Sequence, residues 1–455
     1  MRRFALPLLA ASSLLLVVAA SAATRPHYGG ILRVALRAAP TSLDPADANQ
    51  ADSLARRNIS RLMFDTLVTL DNRGGPQPSL ATSWEAEPGN QRWHVYLRRD
   101  LSFHDGTALT SDAVAASLRA ANPNWKVFPL GDAVVVVCDS PDSNLPAELA
   151  LPRNGIAKRD GKLLGTGPFA VADWQPGKKL TLTARDDYWG GRPFVDSIEI
   201  EMGKSFRDQM ISFDLGKTDL IEVAPEQARR AAMENRSSVQ SSAPLELMAL
   251  VFARDRQSAE EGRLRQALAL GIDRVAMNTV LLQGGGEPAG GLLPNWMSGY
   301  AFLFPTDVNL PQARQVRGDL HQASLWTLGY DSADSVARVV AERAALNARD
   351  AGLSVQLTAS NSADLRLVRV PLVSLDAPVA LANLATALGL PQPKFPGDSV
   401  DSLYAAETAL LDSQRVIPLL HVRVAAGIGP PVKNWTAHAD GIWPLQDVWL
   451  STEKP

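Results

Sequence analysis

Cysteine is nearly absent from this 455-residue chain, with Cys138 the only one. An internal disulfide is therefore excluded, as is any site built from paired thiolates. The apolar run Ala133 to Val137 just before it reads Cys138 as a buried strand thiol. Histidine is scarce as well, at six residues. They form no H-x-x-x-H pair and no set with carboxylates at zinc-ligand spacing, so no metal is expected. His104 and Asp105 adjoin, but they sit in a turn and read as structural. The chain lacks a G-x-S-x-G elbow, a phosphate-binding glycine loop and a Cys–His pairing of recognised type, so neither an enzyme nor a cofactor is expected. Gly284-Gly285-Gly286 follow a helix instead of opening one, which is the wrong context for a nucleotide. An excess of positive charge is missing too. Lys and Arg number 45 against 48 Asp and Glu, for a net charge of −3. With no strongly basic half, nucleic acid is excluded as a partner. Beyond the N-terminus no apolar run could span a bilayer. There is no internal repeat.

The N-terminus itself carries Arg2 and Arg3, the uncharged run Phe4 to Ala20, and the small-residue site Ala20-Ser21-Ala22. Residues 1–23 read as a secretory signal, with an uncleaved anchor as the rival. No cysteine follows the run, so a lipoprotein anchor is not expected, and the location implied is the periplasm. The remainder is too long for one ordinary core and implies two or three domains.

Periodicity gives strands and helices in alternation. Trp93, Val95 and Leu97 alternate as a half-buried strand, and Leu101 and Phe103 resume it. Asp105-Gly106 is a turn. Thr110 or Ser111 caps a helix with Val114, Ala115 and Leu118 on one face, and Asn122-Pro123 ends it. Ile31 to Leu36 is a strand, and Ala51 to Leu67 is helical. Leu245 to Phe252 reads as a buried strand, Asp273 as a cap, and Ser335 as the cap of a helix ending near Gly352. Leu365 to Val373 and Ile417 to Val424 are further strands. The alternation predicts α/β lobes with mixed sheets.

Four blocks of wording add to this. They are Leu80-Ala81-Thr82-Ser83-Trp84-Glu85; Trp93 to Leu118 with its FHDG turn; Gly165 to Ile198, beginning GTGPF; and Arg265-Gln266-Ala267-Leu268 followed by Ile272-Asp273-Arg274. In order and spacing they resemble bacterial extracellular solute-binding proteins of family 5, the oligopeptide-, dipeptide- and nickel-binding subunits of ABC importers. The resemblance implies a two-lobed periplasmic-binding-protein-like fold (type II, cluster C) with a hinge. Carried over, domain I spans 24–65, 165–246 and 428–455. A small side domain spans 66–164, and the second lobe, domain III, spans 247–427.

The implied activity is capture of a small ligand, a peptide foremost, in an interlobe cleft, with delivery to an ABC permease by a monomer. Family members that bind peptides place an acidic residue for the α-amine in a loop that corresponds here to Ser374-Leu375-Asp376-Ala377-Pro378. Asp376 and Pro378 match, but the aromatic residues and the second aspartate do not. The other cleft candidates are Thr41 and Ser42 after the first strand, Trp125 after the FHDG helix, and Trp296 and Tyr300 after the glycines. Trp84, Trp174, Trp189, Trp435 and Trp449 read as packing. The eroded Asp376 loop also leaves open a degenerate member acting as a non-transport binding or chaperone-like partner.

Overall fold

The computed structural model describes residues 26–50, 52–233, 238–318, 325–332, 334–360 and 362–451, so the signal-peptide reading lies outside the described residues. A single mixed sheet runs through both lobes. In the first lobe its strands lie in the order Phe169–Gln175, Lys179–Ala184, Ser197–Glu201, Ile31–Ala35 and Leu220–Val223. Two long antiparallel strands, Val416–Ile428 and Ser238–Phe252, come next. Leu365–Pro371, Leu325–Gly329 and Ser354–Thr358 complete the second lobe. The long pair belongs to both lobes. Ser238 to Ser241 pair with Ala425 to Ile428 in the first, and Glu246 to Val251 pair with Val416 to Val422 in the second. The register breaks on both sides of Pro244. Proline cannot donate to the ladder and such breaks bend a strand, so the bend falls where the chain passes between lobes.

Alternation along these strands feeds separate cores. Met248, Leu250 and Phe252 enter one core of the second lobe, and Leu247 and Ala249 enter another on the opposite face of the sheet. The first lobe is built on Leu32, Val34 and Leu36 against Leu180, Leu182, Ile198 and Ile200. A side unit has its own four-stranded sheet, Ala81–Ala86, Arg92–Leu97, Ala133–Val137 and Lys126–Leu130 in that order. The helix Ser111–Ala121 covers it. Thr110 caps that helix, its hydroxyl accepting from the Ala113 N–H at 3.2 Å. Cys138 is buried beside this sheet, and burial together with the charges of Asp142 and Glu148 pushes its thiol up to about 12. That is the chemistry of an inert thiol.

Two caps compare differently with the sequence reading. Asp273 accepts from the Ala276 N–H at 2.8 Å, as expected. The helix Ser335–Asp350 is capped by Asp334, one residue earlier than the Ser335 expected.

Candidate ligand cleft

The bend in the long strands opens a cleft between the lobes. It has an inner compartment of about 510 Å³ and an outer one of about 810 Å³, and Gln50, Arg56 and Arg369 line both. Each lies within the range of about 300–1,000 Å³ usual for small-ligand pockets. The inner compartment is walled by Arg37, Phe206, Glu222, Trp435 and Trp443 of the first lobe, by Ser242, Glu246 and Arg423 of the crossing strands, and by Arg369 of the second lobe. The outer one adds Asn122 to Trp125 and Glu148 of the side unit and Val373 and Asn383 of the second lobe.

The charged groups on this wall are held by one another. Arg369 forms a tight ion pair with Glu246 and lies 3.5 Å from Asp334. Burial acts against the Arg369 charge, but those two carboxylates hold its guanidinium above the usual range. Glu222 accepts from the Arg37 backbone N–H, and Gln209 bonds both its side chain and its backbone. Burial still pushes the Glu222 carboxyl up. Arg37 itself lies over the Phe206 ring, 5.2 Å from its centre. Arg56 knits the loop before its helix, donating to the Asp44 and Asp47 carbonyls at 2.9 Å each and to that of Gln50 at 3.3 Å. Arg423 pairs with Glu287 and donates to the Ser242 carbonyl at 3.1 Å. Polar groups on fixed strands over an apolar floor of tryptophans can orient a small polar solute between the two lobes. Among the described residues no group of three or more His, Cys, Asp or Glu is placed to hold a metal ion.

Residues 75–370, well over half of the chain, match the profile described as "Bacterial extracellular solute-binding proteins, family 5 Middle". The chain belongs to this family.

Among its relatives is the oligopeptide-binding protein AppA of Bacillus subtilis, 23% identical over 324 residues. That alignment covers 65% of this chain and 58% of AppA, so the match spans well under two thirds of the relative's length. Among solved structures, a dipeptide-binding protein from Pseudoalteromonas sp. SM9913 in complex with Met-Leu superposes with a TM-score of 0.80 at 16% identity, over 93% of this chain and all of that one. The nickel-binding protein NikA from Staphylococcus aureus, in complex with Ni(L-His)2, gives 0.77 at 17% identity, over 92% of this chain and 100% of its own. These likenesses show the two-lobed fold of family 5 binding proteins.

The structure distributes the six expected site residues widely. Trp125 lines the outer compartment, largely buried in the side-unit core. Thr41 does not line the cleft. Its hydroxyl accepts from the Gln50 side chain at 3.1 Å and its backbone N–H donates back at 3.0 Å, so it positions a residue that does. Ser42 orders the same loop, its Oγ accepting from the Asp44 N–H at 3.2 Å. Trp296 is tied to the crossing strand, donating from Nε1 to the Pro244 carbonyl at 3.0 Å. Tyr300 is placed in the second-lobe core, its hydroxyl 2.7 Å from buried Glu407, because Glu407 already gathers the Leu292 and Leu293 N–H groups there. Asp376 caps the helix Ala377–Ala387, accepting from the Val379 N–H at 3.0 Å. It faces a separate hollow of about 640 Å³ between the side unit and the second lobe, with Asp142 and Glu148.

A carboxylate used as a cap and set outside the two compartments is a poor anchor for a ligand amine. Asp376→Ala is expected to cost about 1 kcal/mol of stability, the usual loss for an N-cap. Calorimetric titration should find affinity for a cleft ligand within about twofold of wild type, a difference of about 0.4 kcal/mol. A tenfold loss without a stability change would return Asp376 to the binding site.

Reading the sequence missed Arg37, Gln50, Arg56, Glu222, Glu246 and Arg369, and it assigned Trp435 to packing alone. A signal was present for several of them. Arg369 shares a strand face with buried Leu365 and Leu367, and Glu222 shares one with Leu220. A charge on the apolar face of a buried strand needs a partner or a function.

Proposed function

We propose that this chain is the solute-capturing component of an ABC importer, exported to the periplasm, and that it takes a peptide or similarly small polar solute into the cleft around Arg369. The observation that supports this most is the cleft itself: its walls come from both lobes and the side unit, and Gln50, Arg56 and Arg369 join its two compartments. A ligand touching both lobes favours the closed arrangement by its differential affinity, which is how closure reports occupancy to a permease. Relatives named for oligopeptides and for dipeptides support the ligand class.

The test is thermal denaturation of protein stripped of ligand by unfolding and refolding, against di- to pentapeptides, sugars, and nickel with histidine. A ligand at a hundredfold excess over its Kd stabilises by about 2.7 kcal/mol, so a true ligand should raise Tm by a few degrees. A peptide hit abolished by Arg369→Met supports the reading. Stabilisation by none of the panel would overturn it.

A further inference from the structure

We infer that Arg37 and Asp334 form a latch that holds the two lobes closed through the protein's own charges. Arg37 follows the first strand of the first lobe. Asp334 sits at the start of a second-lobe helix. Arg37 Nη1 lies 3.7 Å from Asp334 Oδ2, and Arg369 Nη1 lies 3.5 Å from the same oxygen.

The two oxygens of Asp334 divide the work. Oδ1 accepts from the Val336 and Ala337 N–H groups at 3.0 and 3.2 Å and caps the helix. Oδ2 is left to the two guanidinium groups. Arg369 is fixed from behind by Glu246, and Arg37 is held over Phe206 with its backbone bonded to Glu222. Both partners of the latch are therefore held before they meet, which lowers the side-chain entropy lost in pairing. Asp334 is 4% exposed, so screening is reduced on that side, while the Arg37 side chain is 37% exposed and lets salt reach the pair. Among the described residues, Glu222 lies by Arg37, Glu226 by Asp334 and Arg369, and Glu246 by Arg369, while Asp331 and Arg423 line the same compartment. Other contacts cross between units nearby. Arg57 donates to the Leu372 carbonyl, and Ala147 and Leu151 of the side unit pack on Val379 of the second lobe. Those contacts are polar to backbone or apolar. The Arg37–Asp334 contact joins opposite charges of the two lobes, so salt should weaken it.

The experiment needs no ligand, so it stands apart from the import reading and fails independently of it. Small-angle scattering would give the radius of gyration of ligand-stripped wild type, Asp334→Asn, Arg37→Gln and the double variant. Asparagine is as good a helix cap as aspartate, so Asp334→Asn removes the charge and keeps the fold. Circular dichroism melting of each variant confirms that. Each single variant should lower the closed-to-open ratio about two- to fivefold, the worth of a partly exposed ion pair, seen as an expanded particle. The double variant should expand no further than either single, because both remove one shared interaction. Salt near 1 M should expand wild type and leave Asp334→Asn unchanged. An already expanded wild type, unchanged single variants, or expansions that add in the double variant would each overturn the latch.

Discussion

Adding one methyl group at Gly165 is expected to cost about 4 kcal/mol or more, among the largest losses a single substitution produces. A Cβ there would stand 1.8 Å from the Met63 carbonyl oxygen and 2.6 Å from Phe64 Cδ1. The first of these is backbone, at the end of the helix Leu54–Met63, and cannot swing aside. The closeness has a purpose. Helix ends leave carbonyls without partners, and the Gly167 N–H reaches the Met63 carbonyl at 3.0 Å. The same turn is stitched to the FHDG block. The Gly165 N–H donates to His104 Nδ1 at 3.2 Å, the His104 N–H donates back to the Gly165 carbonyl at 3.0 Å, and His104 Nε2 donates to the Gly167 carbonyl at 3.3 Å. That pattern needs a neutral ring. Burial, and then the nearby Arg185 charge, lower its pKa to about 4. Gly106 is the control. Its φ is +79°, but nothing lies within 4 Å of its missing Cβ. Gly106→Ala should therefore cost only the backbone strain, about 1–2 kcal/mol. Thermal or urea melts of the two variants decide the matter. Equal losses would mean that the Gly165 contact is not steric.

This pair of motifs also shows what the sequence reveals and what it hides. Trp93, Val95 and Leu97 alternate cleanly, so their strand is legible, and the Thr110 cap follows from hydroxyl chemistry. The two motif blocks were legible as wording, yet their contact was not, because Gly165 and His104 meet only in three dimensions. The long strands were half legible. Leu245 to Phe252 is apolar apart from Glu246 and reads as a strand, but the same strand begins at Ser238, and its polar Ser238 to Pro244 portion carries no periodic signal. That portion is where the strand crosses between the lobes. The cleft suffered most for the same reason. Arg37, Glu246 and Arg369 come from three distant segments and act through one another, whereas sequence reasoning favours lone tryptophans and turn aspartates. Asp376 and Tyr300 were plausible by type, and both are engaged in stabilising the second lobe.

Replacing Glu148 by glutamine is expected to stabilise the protein at pH 8 and to do nothing at pH 4. Glu148 lies on the short helix Leu145–Leu149, beside Ala147 and near Leu151, which pack against Val379 of the second lobe. It lines both the outer compartment and the acidic hollow with Asp142 and Asp376. Burial, and then the Asp142 charge, push its carboxyl up to about 7. Arg153 opposes the shift and Asp376 adds to it. The unfolded chain titrates the same group near the ordinary value of 4.5. Between these two values the native state holds the proton and the unfolded state has released it. Stability therefore falls as pH rises from 4.5 to 7 and stays lowered above. A gap of that size is worth about 2–3 kcal/mol after allowance for partial exposure. Glutamine keeps the shape and removes the charge, so Glu148→Gln should recover most of that at pH 8. Asp142→Asn should recover a smaller part, because burial is the larger cause. Melting wild type and both variants across pH 4 to 8 reads the effect as a difference curve. Other groups shift both curves alike and cancel. Parallel curves for wild type and Glu148→Gln would show that Glu148 is ionised in the fold, with the contact between side unit and second lobe wet enough to carry the charge.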